Sequence, residues 1–203
     1  MAADKNGNDL GRVGIPITGF VAVQLQGEPK YVESEAGAAV PLVVPEGYVK
    51  VGLVTEDGAP QPGAESGDGI KFWQDGYEIV GSDEFTLEVE LAEMNDLVRK
   101  LITGKTPDKN GMITVDTAVP TATFPLLYAV AFKNGDQQRR NGLAHISKVE
   151  EPQTKRGEVM GYKVTFKWVR DETVGGAYRE WWVYANQAKP GGEPGAVTSG
   201  RTE

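Results

Sequence analysis

The chain has 203 residues, 39% of them hydrophobic and 25% charged, with 26 glycines, 12 prolines and no cysteine. That composition excludes bulk disorder, a disulfide-stapled scaffold, zinc–thiolate sites and thiol catalysis, and suits one domain with ordered arms. The formal charge of −8 argues against tight binding to nucleic-acid phosphates, and no apolar run reaches the roughly 18 residues that a membrane helix needs.

Residues 1–15 read as a flexible arm, with Gly7, Gly11 and Gly14 breaking any period and no apolar core of a secretion signal. Residues 17–26 predict a first strand through Ile17, Phe20, Val21, Val23 and Leu25. Residues 33–40 are small and polar and predict a loop. Pro45-Glu46-Gly47 marks a turn, after which residues 48–56 alternate, with Val49, Val51 and Leu53 on one face.

Residues 57–69 hold two prolines and four glycines and almost no apolar side chain, which predicts a long loop. Residues 70–73 and 77–80 predict a hairpin around Gln74-Asp75-Gly76. Residues 85–91 alternate most cleanly: Phe85, Leu87, Val89 and Leu91 form a dry face, Thr86, Glu88 and Glu90 a wet one. The period then changes. Met94, Leu97, Val98, Leu101 and Ile102 form a helical stripe over about residues 93–103, with Asn95 a candidate N-cap and Gly104 a stop.

Strands are predicted again over 112–116, 126–132, 143–150, 159–170 and 177–185, with Asn134-Gly135 as a hairpin turn. The last strand carries Trp181 and Val183 on one face and Tyr178, Glu180, Trp182 and Tyr184 on the other, as expected of a strand covered on both sides. Residues 16–187 thus form the predicted domain and 188–203 a glycine- and proline-rich extension. The sum is roughly nine or ten strands and one helix, a mainly β fold.

Catalytic chemistry finds little to use. His145 is the one histidine, and no nucleophile elbow, P-loop or zinc-protease motif accompanies it. Glu56, Asp57, Glu65 and Asp68 flank the long loop, but their spacing matches no calcium loop. Trp168, Trp181 and Trp182 suit a core or interface better than a sugar platform. No enzyme activity, metal or cofactor is expected.

The order of several pieces carries a resemblance: GFVAVQLQGE from Gly19, VPEGYVKVGLVTEDG over residues 44–58, IKFWQDGYEIV over 70–80, FTLEVELAEMNDLVRKL over 85–101 and GYKVTFKW over 161–168. Together they resemble the major tail proteins, or tail tube subunits, of long non-contractile-tailed bacteriophages of the actinobacteriophage type. The resemblance implies a β-sandwich or partial barrel with one flanking helix, hexameric rings closed by joined sheets, and rings stacked into a conduit for double-stranded DNA ejection. It implies a virion location in the tail, assembly in the host cytoplasm, and tape measure, tail terminator and tip proteins as partners.

In that setting Thr86, Glu88 and Glu90 are candidate lumen-facing residues, because an acidic lumen repels phosphate and lets DNA slide. An outer-surface face is the alternative for the same three. Asp57, Gly58, Pro60, Pro62, Glu65 and Asp68 are the candidate ring-stacking loop, and the arm and extension would bridge rings as well. Met94, Leu97, Val98, Leu101 and Ile102 pack the helix. Another virion component (a head–tail joining or capsid decoration protein) and a carbohydrate-binding β-sandwich are the competing expectations.

Overall fold

The structure, a computed structural model, describes residues 5–67, 69–79, 81, 83–116 and 120–185. These residues form ten strands: β1 Pro16–Val23, β2 Val49–Lys50, β3 Gln61–Glu65, β4 Ile70–Lys71, β5 Glu78–Ile79, β6 Glu84–Leu91, β7 Phe124–Phe132, β8 Gln137–Glu150, β9 Tyr162–Val169 and β10 Arg179–Val183. Two α-helices, α1 Ser34–Ala38 and α2 Asp96–Thr103, and one 3-10 turn, Leu10–Arg12, complete the set. The fold is mainly β, a partial barrel with a flanking helix.

One antiparallel sheet runs in the order β2-β1-β7-β8-β9-β6-β3, and β10 joins it on β8. β8 is long enough to serve two neighbours on one edge. Val169 of β9 pairs with Leu143, and Arg179 of β10 pairs with Asn141. β9 and β10 therefore follow each other along β8, with residues 170–178 looped out and closed by a bridge between Asp171 and Gly176. The β7–β8 turn is the predicted one: Gly135 takes a positive φ of 87° and donates its N–H to Phe132 O.

The segment after β2 closes the sheet on itself. Val49 and Lys50 pair with β1, whereas Val54 bridges Leu91 at the other end of the strand order. The expected single face of Val49, Val51 and Leu53 is therefore corrected: Val51 is buried, while Val49 and Leu53 are exposed. Gly52, at φ 100°, turns the chain between its two partners, and a β-carbon there would collide with the Glu93 carboxylate. That carboxylate accepts the Leu53 N–H at 2.8 Å.

The inner faces of β1, β6, β7, β8 and β9 share one core that contains Val23, Leu87, Val89, Leu126, Ile146, Val164 and Phe166. Each such side chain contributes about 1.5–3 kcal/mol on burial. α2 closes the core with Val98 and Leu101. Its start is set by Asn95, whose side chain accepts the Val98 N–H at 2.9 Å, and its end by Gly104 in the left-handed region. The helix begins at Asp96, later than the stripe suggested, because Asn95 takes the extended cap conformation; Met94 lies before it and is exposed.

The other face of β7, β8 and β10 is covered by a strap, residues 24–40. Register aligns Leu127 with Asn141 and then Arg179, and Ala129 with Arg139 and then Trp181. These side chains hold the strap's backbone. Asn141 accepts the Val32 N–H, Arg179 donates to Val32 O, Trp181 donates to Ser34 O, and Arg139 donates to Gly37 O and Ala39 O. The expected loop over 33–40 is corrected here, since it winds into α1. Gly37 is required there: a β-carbon would sit 2.1 Å from the Trp181 ring.

Two further expectations change. Residues 112–116 form no strand; Asp108 instead holds a turn by accepting the Asn110 and Met112 N–H groups. Within the expected loop 57–69, Gln61–Glu65 is a true strand, paired with β6 from Gln61↔Glu88 to Glu65↔Glu84. Its proline and glycine content fits an edge strand, where one side needs no ladder.

Candidate assembly surface

The predicted wet face of β6 lies among lysines. Thr86, Glu88 and Glu90 pair in register with Lys167, Thr165 and Lys163 of β9, and Lys148 and Glu150 of β8 continue the same rows. Lys163 Nζ lies 2.8 Å from the Glu88 carboxylate, Lys167 bonds Glu84, and Lys148 bonds Glu150. The hydrogen bond that Lys163 donates to Glu88 leads in raising the Lys163 pKa above its ordinary value, against a smaller opposing effect of burial. Lys148, mainly by hydrogen bonding, lowers that of Glu150. The face is thus a ladder of opposite charges rather than a run of carboxylates.

The structure brings two separately predicted groups together. Gly58 O accepts the Glu90 N–H at 2.9 Å, and the Gly58 Cα sits so close to the Glu90 side chain that a β-carbon would be 2.1 Å from it. Asp57, Gly58, Gln61, Glu88, Glu90 and Lys163 border one polar cleft of about 140 Å³. Of the other proposed stacking residues, Pro62 and Glu65 are exposed on β3, Pro60 is half-buried, and Asp68 lies outside the described residues. Among the helix residues, Val98 and Leu101 are buried, and Leu97 and Ile102 pack against the core.

Sequence reasoning predicted the next hairpin but not its exposure. β4 and β5 form a two-stranded sheet of their own, with Ile70 opposite Ile79 and Lys71 opposite Glu78. Phe72 donates its N–H to Tyr77 O, and the turn ends at Gly76 with a φ of 85°. Alternation puts Ile70, Phe72, Tyr77 and Ile79 on one side, and all four are exposed. Trp73, in the turn, is 98% exposed. Alternation does not say whether such a face is covered; among the described residues no layer covers this one. An isolated two-stranded hairpin is marginal in water, and exposed apolar patches are a common feature of protein contact surfaces.

Several strand edges also lack partners among the described residues. β3 and β10 each pair on one side only, and β7 reaches no further along β8 than Ala144. Unpaired edges are templates for strand addition. The tryptophans of the sugar-platform alternative are otherwise engaged: Trp168 is buried, Trp181 lies under α1, and Trp182 stacks on Phe132 at 5.9 Å.

No protein-family model matches this sequence, and no curated protein is significantly similar to it.

Proposed function

We propose that this chain is the tube subunit of a long, non-contractile bacteriophage tail, a non-enzymatic protein that closes into rings and stacks them into a conduit for double-stranded DNA. The observation that carries this reading is the apolar hairpin of β4 and β5, presented to solvent in a chain that also has open strand edges among its described residues. A monomer gains nothing from exposing Ile70, Phe72, Trp73, Tyr77 and Ile79 together; a repeating assembly buries them at every contact. The ordered resemblance to tail tube subunits over most of residues 19–185 supplies the class of assembly.

In that tube the β6–β9 face is the candidate lumen. Its ion pairs suit passage. Each lysine already faces a carboxylate, so phosphate meets no free cation row to release its counterions against. The hairpin and β3 take the part first assigned to a flexible stacking loop.

Negative-stain microscopy of the purified chain tests the reading. Long hollow tubes or stacked rings are expected as concentration rises. Particles that remain monomeric at every concentration, or that form only closed caps without a channel, overturn it; the latter result fits a joining or decoration protein.

A further inference from the structure

We propose that Trp73 of one copy inserts into an apolar cavity beside α2 of the next copy, so that the subunits join head to tail through a knob and a socket. The proposal rests on the self-assembly reading above and adds its contact residues.

The knob is Trp73. It lies in the β4–β5 turn, is 98% exposed, and makes no ring contact within its own chain among the described residues. The socket lies between the end of α2 and the sheet. It measures about 130 Å³, opens to solvent, and is walled by Leu25, Leu101, Pro120, Phe124 and Ile146. An enclosed apolar cavity of about 150 Å³ accepts a benzene ring, so the open socket takes the six-membered edge of an indole while the rest of the ring lies across its mouth.

Charge supports the match. Asp75 stands two residues from Trp73 in the same turn. Lys100 lines the socket and has no carboxylate partner among the described residues. A docked Trp73 would bring an ammonium to its ring and a carboxylate to that ammonium, interactions favoured when water is excluded. Because knob and socket are different parts of one molecule, the contact is heterologous and propagates until rotation closes a ring or a filament grows.

The test exploits the absence of cysteine. Full-length Gln74→Cys and Ala122→Cys chains are mixed under mild oxidation; residue 74 adjoins the knob and Ala122 is exposed at the socket rim. A disulfide between copies is expected in the mixture and in neither variant alone, since cross-linking needs the two Cα atoms within about 7 Å. Trp73→Ala and the rim-filling Ala122→Trp should each raise the concentration needed for assembly roughly tenfold or more, as truncating an aromatic anchor does, with an unchanged far-UV spectrum of the monomer. Tubes without the cross-link, with both variants assembling as the parent does, overturn the knob and socket and leave the tube reading standing. The cross-link in ring or filament species that never become hollow tubes keeps the knob and socket and removes the tube. A parent chain that stays monomeric, with no cross-link in the mixture of the two cysteine variants, removes both.

Discussion

Arg139 is fully buried and has no carboxylate beside it among the described residues. Its guanidinium is satisfied instead by Gly37 O, Ala39 O and the Gln137 side-chain oxygen, at 2.5 to 3.2 Å. Burial pushes its pKa down, yet an arginine stays charged at any pH the fold survives. The carbonyls it takes are among those a helix end leaves without internal partners. Arg139→Ala is therefore expected to cost about 2–4 kcal/mol in urea unfolding, through orphaned carbonyls and lost packing. Arg139→Lys should recover only part, because an ammonium lacks the planar fork. A loss near zero would show that the strap is not held from this residue.

Tyr48 belongs to the same layer. Its hydroxyl donates to Lys30 O at 2.7 Å and accepts from Asn141 Nδ2 at 2.8 Å. Burial pushes its pKa up to about 12, and burial does the same for Tyr31 and Tyr128. A pKa raised on folding contributes stability that is fully present below the unfolded value of about 10 and is lost as pH rises through the folded value. Tyrosinate absorbance should accordingly show a late group of tyrosines ionising near pH 12, together with the loss of β circular dichroism. Ionisation of all tyrosines in one early step near pH 10, with the fold intact, would contradict this.

Among the elements, α2, β6, β7 and β9 were legible because their signals are local. A stripe with Asn95 before it and Gly104 after it makes a helix wherever a sheet is available, and Leu87, Val89 and Leu91 need only one dry side. β3 was hidden because its Pro62 and Gly63 deny strand propensity, and its pairing comes entirely from the exposed edge of β6. That changes how the proposed stacking region should be cut. Deleting residues 57–69 would strip β6 of a neighbour, whereas the β4–β5 hairpin forms a separate sheet. Replacing residues 70–79 by a glycine–serine linker should leave the melting temperature of the body nearly unchanged and abolish assembly. Tubes of normal appearance from that variant would remove the hairpin from the interface.

At the scale of the whole molecule, the sheet nearly closes on itself through residues 49–55, but edges on β3, β10 and the far half of β8 have no partner among the described residues. Open edges in a water-exposed protein invite uncontrolled pairing unless a specific partner takes them. In the proposed tube, closure into a ring would turn the hazard into an interface of fixed geometry, and an imperfect rotation would give open fibres instead. The hollow tubes expected by microscopy are the visible form of that closure.

The sequence by itself determined the mainly β class, the α2 stripe with its cap and stop, the β7–β8 turn at Asn134-Gly135, and the two-sided character of β6 and β9. All of these depend on residues within a turn or two of one another. Tertiary structure decided the rest. Lys163 and Lys167 meet Glu88 and Glu84 only because β9 lies beside β6, and so the supposed acidic face became a ladder of ion pairs. Arg139 and Asn141 are ordinary polar residues of a strand until the strap crosses them. The four apolar residues of the β4–β5 hairpin share a side by alternation, and only the fold shows that side to be surface, because alternation says which residues share a side and not whether anything covers it.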